Sequence, residues 1–550
     1  MDSPGIPTNP TVFPPGLTFA SMTRPADLVL TNAEVHTLTA PPDGHAALVA
    51  DAEVHDEVFD DGAVAVRDGR IVKVGSAYEV EFLRGADTDV IDCEGRVLLP
   101  GFVDAHTHLE VAGRRLVHAD LGGADSRADA VARLRVEARE SDGWVQGYGY
   151  DESEWGETTY LRREELDEVS ESRPVVAFRE DLHTASVNSH ALALLDLDAE
   201  DPNVHTEDGR PTGILTEGAV DVVNDVVAPN VSTTRQRLVA ARDHAHELGV
   251  TGVHDMVRGG HVARVYRELD RADELDLRVR INYWTDHLDA AREAGLVTNA
   301  GSQFVRVGAL KTFTDGSIGS RTAKVSKPYA DDEHGDEHGE WVVPPEELRE
   351  WVADAEAAGF QFTAHAIGDV AVGETLTVYA DTEAPGTARH RIEHAELLDE
   401  ALVRRFAESG VVASVQPNFH KWAREGGLYE SRLGERRTRG TNPLGALADA
   451  GVPLAFGSDT MPLGPLFGVE QAVTAPAAGQ RLPVTDALAA YTRGAAYAGF
   501  DEARVGTVEP GKLADLVVLA ASPWEVSPDT IADIDVWRTV VDGRVVHEHD

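Results

Sequence analysis

Short segments rich in Val, Ile and Leu alternate with longer stretches rich in Ala, Glu and Arg through most of this chain, and this alternation constrains its fold more than any other feature. Strands that alternate with helices in this way predict repeated βα units around a parallel sheet. Eight parallel strands close into a barrel, usually of about 250 residues. We therefore predict an α/β fold, a (β/α)8 TIM barrel, whose strands are Val97 to His106, Val250 to Asp255, Leu277 to Tyr283, Phe304 to Thr312, Phe360 to His365, Arg391 to His394, Val411 to Gln416 and Val452 to Asp459.

Both ends of the chain carry a different pattern, in which apolar and polar residues alternate around an Asp-Gly pair at Asp68 and again at Asp542. An Asp-Gly pair between such segments is the strongest short signal for a β-hairpin. We therefore predict that the two ends join in one small composite β-sandwich domain, and that a long insertion follows barrel strand 1. The strand candidate Pro174 to Phe178 in that insertion competes for a place in the barrel. The predicted division is an N-terminal tail (1–25), the composite β domain (26–98 plus 503–550), the barrel (99–112 plus 236–502) and the inserted subdomain (113–235).

The 550-residue chain is strongly acidic, with 95 Asp and Glu residues against 49 Lys and Arg residues and a net charge of −46. Nucleic-acid binding needs a basic surface, so the composition argues against a nucleic-acid partner. The acidic residues are spread along the whole chain, and only six lysines occur. Concentrated salt screens most of the self-repulsion of such a surface. We therefore predict a halophilic protein, adapted to high salt.

Cysteine and apolar content bear on the compartment. Cys93 is the only cysteine, which excludes an intrachain disulfide and a cysteine-based metal site and favours a reducing compartment. No apolar run is long enough for a signal peptide or for a membrane span of about 20 residues. We expect a cytoplasmic protein without a membrane partner, and the sequence leaves a homodimer open.

A His-x-His pair supplies the first candidate for chemistry. His106 and His108 are two residues apart in a predicted strand, so both side chains project from one face and can reach a single ion. Two histidines on one strand face often bind nothing, so the pair alone is weak evidence. Its position is more informative, because catalytic groups of such barrels collect at the C-terminal ends of the strands.

Four more residues of ligand type follow other predicted barrel strands: Lys311, His365, His394 and Asp459. Each alone has a structural explanation, since a histidine at a strand end is often hydrogen-bonded filler and an aspartate there can cap the next helix. Six such groups at the ends of five strands together predict one metal site. Histidine and carboxylate ligands suit several divalent ions.

With these residues in place, the chain resembles the amidohydrolase superfamily, and within it the family-3 branch of N-substituted formamide deformylase-like hydrolases. The resemblance covers most of the chain. Each matching stretch alone is modest evidence, but all of them in this order are strong evidence. They are Pro100-Gly-Phe-Val-Asp-Ala-His-Thr-His, Trp144 to Trp155, Asp181-Leu-His-Thr-Ala-Ser-Val-Asn-Ser-His-Ala-Leu, Pro211-Thr-Gly-Ile-Leu-Thr-Glu, Gly249-Val-Thr-Gly-Val-His-Asp-Met, Lys311-Thr-Phe-Thr-Asp-Gly-Ser, Ala364-His-Ala-Ile-Gly-Asp, Ile392-Glu-His-Ala, Gly457-Ser-Asp and Gly506 to Asp515.

The resemblance implies that His106, His108, His365 and His394 ligate one or two divalent ions, with zinc expected, and that Asp459 is both ligand and catalytic base. Lys311 would carry a carbamate and bridge the ions if two are present, since a free ammonium group cannot ligate a cation. The alternative is a lysine that pairs with Asp315 and never meets metal.

The reaction implied is hydrolysis of an amide-type, non-peptide C–N bond in a small molecule by metal-activated water, with Asp459 moving the proton. A deaminase of heterocyclic amines on the same barrel is the alternative. Such enzymes usually have a glutamate three residues after the histidine of the fifth strand, where this chain has Gly368. A non-catalytic scaffold homologue is weaker still, because all six candidate groups are present.

Substrate contacts are expected from the insertion and the neighbouring loops, where aromatic residues could line an apolar pocket. Packing within the inserted unit explains the same residues equally well. The candidates are Tyr150, Asp151, Trp155, His183, Asn188, His254, Arg321 and Gln416.

Overall fold

The computed structural model describes residues 24–39, 57–152, 155, 159–180, 183–198, 200–332, 334–382 and 385–549. Residues 1–23 of the predicted N-terminal tail lie outside the described residues. None of the helices in the described part of the chain is both long and apolar enough to cross a membrane.

The first two described segments build most of one sheet. Up to residue 100 they contain five strands and a short helix: β1 (Leu28–His36), β2 (Val58–Arg67), β3 (Arg70–Ser76), α1 (Ala77–Glu81), β4 (Asp89–Asp92) and β5 (Val97–Pro100). β2 and β3 pair antiparallel across the turn at Asp68 and Gly69, whose φ angles are 51° and 71°. Positive φ at both central residues is what a tight type I′ hairpin turn requires, which explains the Asp-Gly pair.

The first barrel strand and a separate inserted sheet follow. The barrel starts with β6 (Phe102–Thr107) and α2 (Leu109–Val117). A six-stranded sheet of order β11-β12-β10-β9-β8-β7 then forms before the chain returns to the barrel. β9 covers the strand candidate that competed for a place in the barrel, and it belongs to the inserted sheet. The elements are β7 (Ala119–Asp120), α3 (Arg127–Glu140), β8 (Val145–Tyr150), α4 (Arg163–Asp167), β9 (Val175–Arg179), β10 (Thr184–Val187), α5 (Ser189–Leu194), β11 (Val204–Glu207), β12 (Arg210–Thr216) and α6 (Gly218–Val226).

Seven further parallel strands complete the barrel, in the order β6, β13, β14, β15, β16, β17, β18, β19. Apolar side chains of these strands pack outward against the surrounding helices in one large core. The predicted (β/α)8 barrel is confirmed, but its predicted first strand, Val97 to His106, is wrong in extent: Val97–Pro100 forms β5 of the first sheet, and only β6 belongs to the barrel. Its remaining elements are α7 (Val231–Glu247), β13 (Val250–Val257), α8 (Val262–Arg271), β14 (Arg278–Trp284), α9 (Leu288–Glu293), β15 (Val305–Phe313), α10 (Pro345–Ala357), β16 (Phe362–Ala366), α11 (Asp369–Ala380), α12 (Pro385–Ala388), β17 (Arg391–His394), α13 (Glu400–Ser409), β18 (Val412–Val415), α14 (Leu428–Leu433), α15 (Glu435–Thr438), α16 (Leu444–Asp449), β19 (Leu454–Phe456), α17 (Pro465–Thr474), α18 (Val484–Ala489) and α19 (Ala495–Ala498).

The end of the chain returns to the first sheet through β20 (Leu516–Leu519), β21 (Val536–Val541) and β22 (Arg544–Glu548). β20 pairs antiparallel with β5, so the sheet runs β22-β21-β20-β5-β1-β2-β3, with β4 beside β1. Strands from both ends of the chain therefore share one sheet, as the fold prediction requires.

The barrel closes between β6 and the segment that follows β19. The backbone N–H of Asp459 donates to the carbonyl oxygen of His106 at 2.8 Å. A Cβ atom at Gly457 would lie 2.4 Å from the backbone nitrogen of His106, so only glycine permits this close approach. The segment that carries Asp459 is therefore held directly against the strand that carries His106.

Candidate metal centre

Four histidine rings and one carboxylate meet at the C-terminal ends of the barrel strands. The ring centroids of His106 and His108 are 5.6 Å apart, those of His106 and His394 are 5.0 Å apart, and those of His365 and His394 are 4.4 Å apart. These side chains come from β6 and the residue after it, β16 and β17. The structure thus brings together all four histidines that the sequence predicted as ligands.

Asp459 joins this group through the His-x-His pair. Its Oδ1 atom is 3.5 Å from Nε2 of His106 and 3.3 Å from Nε2 of His108. One ligand atom from each of these three residues lies within 4.8 Å of the other two, which is close enough to hold one ion. Imidazole nitrogen and carboxylate oxygen are ordinary ligands of zinc and related divalent ions.

Lys311 and His365 supply buried polar atoms that have no hydrogen-bond partner among the described residues, namely Nζ of Lys311 and Nδ1 of His365. The side chain of Lys311 is only 1% exposed. A buried polar atom without a partner is costly, so two beside one histidine cluster need an explanation. His365 Nδ1 therefore fits a bound cation, and Lys311 Nζ fits one only as a neutral amine or a carbamate.

Burial also sets the protonation of these groups. It lowers the pKa of His365 to about 3 and that of His394 well below the ordinary value. Both rings are therefore neutral at pH 7, which is the form that ligates metal. Burial lowers the pKa of Lys311 from 10.5 to about 8, so a sizeable fraction of its amine is neutral near physiological pH.

The alternative pairing of Lys311 with Asp315 is not present in the structure. Asp315 is fully buried and accepts backbone N–H groups from Lys324, Ile367 and Gly368 at 2.8–3.0 Å. Through these bonds the carboxylate of Asp315 holds two loops together at the barrel mouth.

Glu393 is a buried residue of the site that the sequence argument did not single out. It accepts one hydrogen bond from Nδ1 of His106 at 2.7 Å and a second from Thr363 Oγ1. It also forms an ion pair with Arg391 at 2.7 Å. β6 and β17 are not neighbours in the sheet, so the contact to His106 crosses the barrel interior. Because Nδ1 donates to Glu393, Nε2 of His106 is left with a lone pair facing Asp459.

Electrostatics keep Glu393 ionised. Burial by itself would raise its pKa, but the charge of Arg391 and the hydrogen bond from His106 outweigh burial and hold the pKa below the usual range. A sequence signal for this role exists in retrospect. Arg391 and Glu393 are two residues apart on one short barrel strand, so two charged side chains share its inward face.

Asp104 fixes the same corner of the barrel. It accepts backbone N–H groups from His106 and Ser458, both at 3.0 Å. Burial raises the pKa of Asp104 to about 7. His394 and Asp459 adopt left-handed backbone conformations, with φ of 75° and 52°. Residues other than glycine are rarely held there, and such strain collects at functional sites.

Aromatic side chains line one side of this histidine cluster. The ring of Phe313 lies 4.6 Å from that of His365, and Trp284 lies 5.2 Å from Phe313. The ring of Phe419 stacks on His394 at 5.8 Å, and Trp422 lies 4.8 Å from Phe419. These four rings were not among the predicted substrate residues, and they give the cluster an apolar wall.

Three of the predicted substrate residues lie in the packed interior of the inserted unit. Tyr150 stacks on Trp155 at 5.6 Å and hydrogen-bonds Ser186. Trp155 donates to the carbonyl oxygen of Ala124. Asn188 caps α5 by accepting the N–H of Ala191, and its amide donates to two further carbonyl groups. These contacts have structural roles, so a role in substrate binding stays a prediction for all three.

Three other predicted substrate residues form contacts with oppositely charged side chains. Asp151 pairs with Arg179 at 3.1 Å. His183 is 69% exposed and lies 3.1 Å from Glu217. Arg321 binds Asp331 through two hydrogen bonds. Substrate binding stays a prediction for these residues as well.

The last two predicted substrate residues belong to the barrel. Gln416 directly follows β18 and is fully buried beside His394. His254 lies on β13, where its Nδ1 atom accepts a hydrogen bond from Arg391 at 2.9 Å. His254 therefore contacts the residue that pairs with Glu393.

Gly368 bears on the deaminase alternative. A Cβ atom at this position would lie 2.0 Å from the carbonyl oxygen of Lys324. No side chain fits there without moving the backbone, so a glutamate three residues after His365 has no space in this loop.

Comparisons with known proteins extend these observations. The sequence matches the model of the amidohydrolase family over residues 89–547. YtcJ of Bacillus subtilis (strain 168) is 29% identical over 88% of this chain and 96% of that protein. An N-substituted formamide deformylase of Arthrobacter pascens is 27% identical over 96% of this chain and 99% of that protein. The crystal structure of a metal-dependent hydrolase of Pyrococcus horikoshii OT3 matches with a TM-score of 0.75 at 28% identity, covering 91% of this chain and 99% of that chain.

Proposed function

Because the chain belongs to the amidohydrolase family, we propose that it hydrolyses a small amide with an apolar substituent, of the N-formyl, N-acyl or cyclic amide class. Its membership makes it a metal-dependent hydrolase of C–N bonds other than peptide bonds. The proposal adds the substrate class, the metal and the roles of single residues.

One observation carries the proposal. The unpartnered Lys311 Nζ and His365 Nδ1 atoms are buried beside the group formed by His106, His108 and Asp459. Divalent cations would satisfy His365 Nδ1 directly and Lys311 only after its amine becomes a carbamate, with His394 completing the set of four histidines. Zinc is the expected metal, because imidazole nitrogen and carboxylate oxygen suit it.

When bound, the metal supplies water that ionises near pH ~7 and a positive charge that polarises the carbonyl under attack. Asp459 then acts as the base. Burial would raise its pKa, but the neighbouring His106 and His108 outweigh burial and keep the pKa below the ordinary value. Its carboxylate is therefore ionised at neutral pH, and it can accept a proton from water and deliver it to the leaving nitrogen. Glu393 holds the His106 ring in the orientation that presents Nε2.

Lys311 would serve as a ligand after it gains a carbamate. The neutral amine, which burial favours, would add to carbon dioxide and release one proton to solvent to give the carbamate. The resulting anion would replace a buried ammonium group that has no hydrogen-bond acceptor in the described part of the chain. We propose that the carbamate would help the four histidines and Asp459 to hold two ions.

The substrate class follows from the aromatic wall. Trp284, Phe313, Phe419 and Trp422 lie beside His365 and His394. Phe313 and Trp422 are only partly buried, so these two rings offer apolar surface. Sites of this kind bind a ligand mainly through apolar contact, and a few polar groups of the site fix its orientation. An aryl or alkyl group on the acyl or nitrogen side of the amide would pack against these rings.

The remaining properties rest on the sequence alone. A cytoplasmic location, adaptation to high salt and a homodimer are proposed on the grounds given there, and a phosphate-rich partner is disfavoured by the acidic composition.

The test is a substrate screen with the purified, metal-loaded chain. N-formyl, N-acyl and cyclic amides with aryl or alkyl substituents are offered, and the released amine or acid is measured beside the metal content. We expect hydrolysis of at least one class and a loss of about 10²–10⁴-fold in kcat for Asp459→Asn. Asp289→Asn, an exposed position on α9, is the matched control and should retain activity.

Two results would overturn the proposal. Ammonia release from heterocyclic amines without amide hydrolysis would assign the chain to the deaminases. Metal content far below one ion per chain after growth with zinc, iron and manganese, together with no turnover, would indicate a non-catalytic homologue.

A further inference from the structure

Arginine side chains crowd together at the amino-terminal end of the barrel, opposite the metal centre. Arg278 and Arg280 lie on β14, Arg306 lies near the start of β15, and Arg504 lies in the segment after α19. Such a concentration is unexpected in a chain with a net charge of −46.

Three of these guanidinium groups share a single carboxylate. Asp501 accepts from Arg280 at 2.9 Å, from Arg306 at 3.2 Å and from Arg504 at 2.9 Å. Arg280 is 2% exposed, and its Nε atom has no hydrogen-bond partner among the described residues. One carboxylate cannot balance three guanidinium charges.

The fourth arginine does not restore the balance. Arg278 pairs with Asp515 and also with Asp542 at 3.2 Å, so two carboxylates accompany it. Across the whole cluster, four guanidinium groups face three carboxylates, which leaves one positive charge in excess. Burial and repulsion from Arg504 and Arg278 lower the pKa of Arg306, although Asp501 opposes this shift.

A cavity opens within this cluster. It offers about 20 Å³ of space for the centre of a water-sized sphere, which is room for one water molecule or one small ion. Arg280, Arg306 and Arg504 line it together with Asp501, and His254 and Phe304 form part of the remaining wall. The space and the surplus charge therefore coincide.

We propose that this cavity binds one small monovalent anion of the size of chloride. The anion would neutralise the surplus charge and join the segment around Asp501 and Arg504 to the first residues of β14 and β15. Guanidinium groups are fixed donors that bind anions through charge-assisted hydrogen bonds. Binding to the folded chain alone stabilises it in proportion to the logarithm of anion concentration.

The first test compares potassium chloride with potassium gluconate at equal ionic strength, since gluconate is too large for the cavity. For each protein we take the melting temperature in chloride minus that in gluconate. This difference is expected to be about 1–3 °C larger for the wild type than for Arg306→Gln. Arg404→Gln, an exposed change on α13 where Arg404 pairs with Glu400, is the matched control and should behave as the wild type does. The same chloride-minus-gluconate difference in Arg306→Gln and in the wild type would overturn the proposal.

The second test does not depend on a variant. Crystals of the full chain soaked in bromide should show an anomalous peak between Arg280, Arg306 and Arg504. No peak in that cavity at molar bromide would overturn the proposal, whatever the melting data show.

Discussion

Replacement of Glu393 by glutamine tests whether a carboxylate on the far side of the barrel positions the first metal ligand. Two donors, Thr363 Oγ1 and Arg391, bind one oxygen of Glu393, and His106 Nδ1 binds the other. Glutamine has one oxygen and one NH2 group in the same shape. In either orientation its NH2 group therefore faces at least one donor, and the charge that balances Arg391 is gone.

Two magnitudes follow from this geometry. Glu393 and Arg391 are both fully buried, and removing one partner of a buried ion pair costs about 3–5 kcal/mol of stability. Losing the partner that orients a metal-ligating histidine typically weakens metal binding about 10–100-fold, or about 1.4–2.8 kcal/mol. We therefore expect Glu393→Gln to show both effects.

The assay is competition with a chelator of known affinity, which gives the metal dissociation constant, together with urea unfolding of the metal-free protein. Glu356→Gln is a matched control, because Glu356 accepts from His390 at 3.2 Å, outside the predicted ligand set. That control should leave the metal dissociation constant unchanged. An equal metal affinity in Glu393→Gln and in the wild type would refute the reasoning, even if stability fell.

Three other predictions concern the ligands, the lysine and the surface charge. His106→Ala and His108→Ala should each lose metal and activity together while far-UV circular dichroism stays native, and retained activity would contradict the site. Between pH 8 and 10.5 the metal-free wild type should gain about 3 kcal/mol of stability relative to Lys311→Met. The pKa of Lys311 is about 8 in the folded chain and 10.5 in the unfolded chain, so the unfolded chain binds more protons in that window, and raising the pH favours the folded state. If the urea midpoints of the two proteins change with pH in the same way across this range, the pKa of Lys311 is not lowered by burial. The melting temperature should rise from dilute buffer to molar potassium salts, since screening relieves the repulsion of a net charge of −46, and equal melting temperatures would rule this out.

The barrel could be predicted because its strands are short, apolar and separated by helical stretches. The ligand candidates could be predicted because each lies at or just after the end of such a strand, as His365 lies near the end of β16 and His394 at the end of β17. Local periodicity alone is enough for both inferences.

The role of Glu393 could not be predicted in the same way, because it depends on which strands face each other across the barrel. His106 and Glu393 are 287 residues apart in sequence, and no local pattern links them. The substrate candidates were uncertain for another reason. An aromatic or amide side chain such as Trp155 or Asn188 has the same sequence signal whether it contacts a ligand or fills a core, and only the packed structure distinguishes the two.

The pairing of β5 with β20 has a consequence for how the chain reaches its folded state. Pro100 and Leu516 are partners across this ladder, so it cannot form until more than 400 intervening residues have left the ribosome. Pairing of this sequence separation is slow, because the entropy of closing the loop must be overcome first. Until β20 arrives, β5 is an apolar edge strand with no neighbour on that side, and nascent chains that stop short of Leu516 expose it to pairing with other chains.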